Sequence, residues 1–182
     1  MSIPVKIENM VSAITLDQEI DLPKFVKKVK GVEYNPNKFP GAIFRVREPK
    51  LAMLIFSSGK VICTGARSKK DISAAVDHLK KKLKEGGVKI KKEPIVEVQN
   101  IVASSDVGMK VNLDTIAMQC WNTEYEPEQF PGLVYRLDDP KTVMLIFRSG
   151  RMIITGAKDP KNIKQAAEKT REMIQSYDAV IE

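Results

Sequence analysis

The sequence predicts an α+β fold written twice, a pseudo-twofold molecule in which each repeat supplies antiparallel strands and two helices. Residues 34–41, YNPNKFPG, fall on residues 125–132, YEPEQFPG, at an offset of 91, half of the 182-residue chain. Without a gap, LAMLIFSSGKVICTGAR (51–67) falls on TVMLIFRSGRMIITGAK (142–158), and KIENMV (6–11) on EVQNIV (97–102). Within each copy, short strand-like runs separated by turn signals stand between two helical stretches. Two copies are too few for a solenoid, so the chain divides into a first repeat, 1–91, and a second, 92–182.

Each repeat opens on an alternating segment, residues 5–16 and 96–107, which reads as a strand. A short helix follows. Asp21 caps it, Pro23 suits its first turn, and Phe25, Val26 and Val29 are its apolar residues. In the second copy Asn112 is the cap, with Ile116, Ala117 and Cys120 facing inward; Trp121 has no duplicate and is expected to pack at the end of this helix. Then come AIFRVRE, a Pro-Lys turn, LAMLIF, Ser-Ser-Gly and KVICTG, an antiparallel meander. A long helix closes the repeat. Ser68 with Asp71 resembles a capping box, Ile72, Ala75, Val76, Leu79 and Leu83 form one stripe, and Gly86-Gly87 ends it. The second copy uses Asp159 as cap and Pro160 at the first position, then Ile163, Ala166, Ala167 and Ile174.

Two helices per repeat cover one face of a sheet. Yet LAMLIF is apolar at successive positions, the pattern of a strand wanted on both faces. An apolar sheet face is therefore left open, either as a binding surface or as the seal of a symmetric ligand-binding or structural dimer.

Composition narrows the function classes. Apolar residues make up 43%, enough for a core, and no run approaches the 18 apolar residues of a membrane span. MSIPVKIENM lacks the apolar stretch of a signal peptide, which points to a cytoplasmic protein. Cys63 and Cys120 have no C-x-x-C spacing, and the single histidine argues against a histidine metal site or a Ser-His pair, so no metal, cofactor or catalytic residue is expected. Net charge is +7, which suits a polyanionic partner. It is divided unequally: residues 1–91 hold 19 Lys and Arg against 9 Asp and Glu, a net of +10, and residues 92–182 hold 11 against 14, a net of −3. The scaffold is duplicated and the charge is not, so the two repeats are expected to meet different partners.

The direct repeat, the P-x-x-F-P-G loop, LIF-x-SG, the following TGA[KR] and an Asn in the first strand together resemble the TATA-binding protein family over residues 5–180. The chain starts almost at its first repeat, as archaeal members do. The resemblance implies a ten-stranded curved antiparallel sheet, shaped like a saddle, with four helices on its convex side. It implies no enzyme but a general transcription factor on the nucleoid of an archaeal cell, with TATA-box DNA, transcription factor B and RNA polymerase as partners. A DNA glycosylase, whose accessory domains share this half-fold, would need a separate catalytic domain for which the repeats leave no residues.

Residue by residue, the resemblance makes Phe39, Phe56, Phe130 and Phe147 wedges between base pairs, a distortion for which this family is itself the standard example. Asn9, Asn100, Thr64 and Thr155 become donors to the adenine N3 and thymine O2 acceptors of the minor groove. Val11, Val102, Leu54, Leu145, Ile62 and Ile153, with Pro131, line the groove floor, where a guanine amino group would stay unpaired. Counting by twos puts Leu54 with Phe56, Ile62 with Thr64 and Asn9 with Val11 on one face, and Met53 and Ile55 on the other. Arg45, Arg136, Lys60, Arg151, Arg67 and Lys158, with Ser58 and Ser149, form the phosphate set. Glu124, Glu126 and Glu128 make an acidic run expected to dock factor B. The lysine-rich segment 69–92 is an additional surface for an acidic regulator or flanking DNA.

Overall fold

The computed structural model describes residues 2–181. Its helices are α1 (Leu22–Lys28), α2 (Lys69–Glu85), α3 (Leu113–Gln119) and α4 (Pro160–Ser176). Its strands are β1 (Val5–Thr15), β2 (Val32–Glu33), β3 (Ala42–Val46), β4 (Leu51–Ile55), β5 (Lys60–Ala66), β6 (Ile95–Asp106), β7 (Lys110–Val111), β8 (Thr123–Glu124), β9 (Leu133–Asp138), β10 (Lys141–Ile146), β11 (Arg151–Ala157) and β12 (Val180–Ile181). Ten of the strands make one antiparallel sheet, and β7 and β12 pair separately. The chain is a two-repeat α+β fold with four helices among the described residues, as the repeat predicts.

The structure divides into two compact units. One is Asn9–Gln99, and the other combines Met1–Glu8 with Asn100–Glu182. In the first the strand order is β2-β3-β4-β5-β1, and in the second β6-β11-β10-β9-β8.

In the unit 9–99, Met10, Ile14, Met53, Ile55, Val61 and Cys63 are buried on one sheet face, and α2 packs on β5 from that side. The predicted stripe supplies the cover: Ile72, Ala75, Leu79 and Leu83 are buried, with Leu22 and Phe25 from α1. The unit 100–182 repeats this with Ile101, Ala103, Met144, Ile146, Met152 and Ile154 under Ile163, Ala166, Ala167 and Ile174. Each fully buried side chain of this size contributes about 1.5–3 kcal/mol relative to exposure.

The caps are largely as expected. Asp21 accepts from Lys24 N–H at 3.1 Å and Asn112 from Thr115 N–H at 3.2 Å. Ser68 accepts from Asp71 N–H at 3.1 Å, but the Asp71 carboxylate takes the N–H of Arg67, one residue before the cap. A full capping box uses the longer Glu or Gln to reach the cap's own N–H. The two-residue strands β2, β7, β8 and β12 are too short to leave a periodic signal.

Candidate nucleic-acid interface

Alternation along the strands decides what the open face carries. In the unit 9–99, Asn9, Val11, Leu54, Phe56, Ile62 and Thr64 are all partly accessible, while Met53 and Ile55 are fully buried. The register places Leu54 opposite Ile62 and Ala52 opposite Thr64, with Ile43 opposite Leu54 and Arg45 opposite Ala52. The unit 100–182 repeats the ladder with Leu145 opposite Ile153, Val143 opposite Thr155, Val134 opposite Leu145 and Arg136 opposite Val143. Ile43, Ala52, Val134 and Val143 thus join the face and were not picked out from sequence. The alternation of AIFRV, Ile and Arg out with Ala, Phe and Val in, was the signal that could have found them.

The asparagines are not free. Asn9 Nδ2 donates to Thr64 Oγ1 at 3.0 Å, and Gly65 N–H donates to Asn9 Oδ1 at 2.7 Å. Asn100 does the same with Thr155 at 3.1 Å and Gly156 at 2.7 Å. Gly65 has φ +100° and Gly156 +102°, the left-handed region that disfavours a side chain. A Cβ on Gly65 would also lie 2.8 Å from Lys50 carbonyl oxygen. Both glycines sit where the strand register shifts, between Met10/Ser12 and between Ile154/Ala157, and a bulge turns a backbone N–H toward a side chain. With its oxygen turned to the glycine N–H, each Asn retains one outward N–H, and the Thr hydroxyl, 3.4 Å (Thr64) or 3.3 Å (Thr155) from that oxygen, can turn its O–H inward to it or outward. Each unit therefore presents an outward amide donor beside a hydroxyl that can also donate.

The aromatic pairs are equally regular. Phe39 and Phe56 stand with ring centroids 5.8 Å apart, tilted by 60°. Phe130 and Phe147 stand at 5.9 Å and 64°. Phe39, Phe56 and Phe147 are half-buried, and Phe130 is exposed beside the exposed Pro131. The loops that carry Phe39 and Phe130 close identically, with Phe39 N–H donating to Asn35 O and Phe130 N–H to Glu126 O, each at 3.0 Å. In the unit 100–182 a cavity of about 710 Å³ opens along Phe147, Ile153, Ser104, Ser149 and Arg151.

Cations rim the face. Lys60, Arg67, Arg151 and Lys158 are exposed, and Ser58 and Ser149 lie in the turns before β5 and β11, accepting from the N–H groups of Lys60 and Arg151. Arg45 is paired with Glu33 at 2.9 Å, and Arg136 with Glu124 at 3.9 Å. Glu124 is therefore the repeat equivalent of Glu33 and answers an arginine on the open face. Glu126 and Glu128, which replace Asn35 and Asn37, make the acidic difference between the loops.

Trp121 is 88% exposed and does not pack at its helix end, contrary to expectation. Cys120 takes the buried position at the C-cap, and the chain turns so that the next side chain faces out. In segment 69–92, Lys80 pairs with Glu93, Lys82 with Glu85, and Lys92 with Asp17, whose carboxyl the Lys92 hydrogen bond lowers. Lys69, Lys70, Lys81, Lys84, Lys89 and Lys91 make no ion pair among the described residues. Burial pushes the Cys63 thiol up, away from a reactive thiolate. No group of three or more His, Cys, Asp or Glu among the described residues is placed to hold a metal ion, and no helix there is long and apolar enough to cross a membrane.

The chain is similar to known proteins over nearly its whole length. The family model for transcription factor TFIID, or TATA-binding protein, matches residues 4–86 and 95–177. The TATA-box-binding protein of Archaeoglobus fulgidus is 49% identical over 174 residues, covering 94% of this chain and 95% of the relative. TATA-box-binding protein 1 of Methanosarcina acetivorans is 46% identical, covering 93% and 94%. The solved structure of Methanococcus jannaschii TBP superposes with a TM-score of 0.87 at 46% identity, covering 94% of this chain and 98% of that one.

Proposed function

The chain belongs to the family of transcription factor TFIID, or TATA-binding protein, a family of DNA-binding transcription factors and not of enzymes, and on that premise we propose that it is a general transcription initiation factor that binds the minor groove of TATA-box DNA. Residues 1–91 and 92–182 act as its two repeats, each taking one half of the site. The observation that carries the reading is the amide-and-hydroxyl fork of Asn9 with Thr64, repeated by Asn100 with Thr155, with each Asn oxygen turned inward and the fork set among accessible aliphatic side chains. The A·T minor groove offers acceptors only, while a G·C pair adds a donor. The amide N–H satisfies the first, and a guanine amino group lying against the aliphatic floor finds no partner, which costs about 1–3 kcal/mol per buried unmade hydrogen bond.

The rest of the face has matching work. Phe39 with Phe56, and Phe130 with Phe147, wedge between base pairs and kink the duplex, Pro131 standing beside its wedge. Val11, Leu54 and Ile62, with Val102, Leu145 and Ile153, cover the groove floor. Arg45, Lys60, Arg67 and Ser58, with Arg136, Arg151, Lys158 and Ser149, hold phosphates and fix position without reading sequence. Arg45 and Arg136 exchange Glu33 and Glu124 for phosphate on binding. Glu126 and Glu128 recruit transcription factor B, and with it RNA polymerase, to form the preinitiation complex. The unpaired lysines of segment 69–92 meet an acidic regulator, and the protein works on the nucleoid in the cytoplasm of an archaeal cell.

Dimethyl sulfate tests the groove assignment, since it methylates adenine N3 in the minor groove and guanine N7 in the major. The bound protein should protect adenine N3 within the TATA site and leave flanking guanine N7 reactive. Protection of guanine N7 alone would place the protein in the wrong groove.

A further inference from the structure

Trp121 and Met118 are the most exposed large apolar side chains of the unit 100–182, 88% and 86% open. The scaffold does not require them. At the repeat offset they fall on Lys30 and Lys27, both exposed, so solvated cations fill the same positions in the other unit. Large apolar groups kept in water where the fold accepts lysine point to an interaction rather than to packing.

The surroundings state the partner's chemistry. Asp114 lies one turn before Met118 on α3 and is exposed, on the same side of the helix. Past Trp121 the chain is held rigidly: Asn122 Nδ2 donates to Arg136 O at 2.5 Å, and Arg136 N–H donates to Asn122 O at 3.0 Å. Beyond Glu124, which answers Arg136 on the open face, the loop carries the exposed Glu126 and Glu128. Carboxylates repel a nucleic acid and steer a basic protein. Steering charges at a rim set orientation and on-rate, whereas affinity comes from a few anchors, tryptophan foremost, desolvated inside such a rim. The acidic loop alone lacks that anchor.

We propose that Trp121, supported by Met118, is the apolar anchor of a protein-docking surface whose acidic rim is Asp114, Glu126 and Glu128, and that its occupant is a basic protein surface bearing an apolar slot. The inference rests on the docking of transcription factor B at the acidic loop and makes factor B that occupant.

Trp121 is the sole tryptophan of the chain, so 5-fluorotryptophan labelling gives one fluorine resonance that reports on this site alone. The full chain on a TATA duplex should keep that resonance unshifted, and adding factor B should shift it and abolish its solvent-isotope effect. Met118→Lys with Trp121→Lys, which installs the residues of the other unit, should leave duplex affinity unchanged and weaken factor B recruitment at least ~10-fold. A ternary complex with an unshifted resonance and full recruitment of the double variant overturns the anchor and leaves the acidic-loop reading standing. A shift on duplex alone overturns it by placing Trp121 against DNA. Failure of the wild-type chain to recruit factor B overturns both readings.

Discussion

Phe130 packs edge-on against Phe147 with ring centroids 5.9 Å apart, and Gly132 is the reason the rings can sit so. A Cβ on Gly132 would come within 2.6 Å of the Phe130 ring and 3.0 Å of the Phe147 ring. Gly41 stands in the same relation to Phe39 and Phe56, at 2.8 and 3.1 Å. The P-x-x-F-P-G loop is thus a device for standing one ring beside another on the accessible side of a strand.

Phe130→Ala and Phe147→Ala should reduce the bend of an end-labelled TATA duplex in solution FRET while the fold survives. A buried Phe→Ala change costs about 3–5 kcal/mol; these rings are accessible, so the loss of stability should be about half that or less. An unchanged FRET distance in both variants would remove the wedge role.

The donor fork makes a sharper prediction. In Asn9→Asp the carboxylate still accepts the Gly65 N–H, so thermal stability should change little. Its outer atom becomes an acceptor facing an acceptor, and TATA affinity should fall about 10- to 100-fold, the equivalent of one or two unmade buried hydrogen bonds. Calorimetry and a TATA titration on the same sample check both halves, and retained affinity would refute the fork.

Arg45→Ala and Arg136→Ala should each weaken binding across sequences and reduce the magnitude of the slope of log K against log salt by about 1. Glu33 and Glu124 compete for these arginines in the free protein. Glu33→Gln should therefore raise DNA affinity slightly at low salt. Identical salt slopes in wild type and both arginine variants would take them out of the phosphate set.

Glu126→Arg with Glu128→Arg should abolish recruitment of transcription factor B to the bound duplex and leave duplex binding nearly intact. The two glutamates are exposed and the loop is closed by backbone bonds to Glu126 O, so the fold does not depend on their charge. Normal recruitment in a gel shift would dismiss the loop as a docking site.

The face was legible because it was written twice. Period-two counting separated Leu54 and Ile62 from Met53 and Ile55, and the second copy made each assignment twice over. Two kinds of feature were not legible. The role of Gly65 and Gly156 depends on a cross-strand bulge, which no local pattern announces. The position of Trp121 depends on where a seven-residue helix stops, and Cys120 and Trp121 are equally reasonable inward residues until the C-cap is seen.

Groove selectivity follows most directly from the fork and its aliphatic surroundings, so one titration tests it. Fluorescence anisotropy should compare a labelled TATA duplex with the same duplex carrying G·C pairs at its central positions, at one salt concentration. Each substituted pair should cost about 1–3 kcal/mol, so two should weaken binding at least ~30-fold while the salt slope stays the same. Equal affinity for the two duplexes would contradict minor-groove reading by this face.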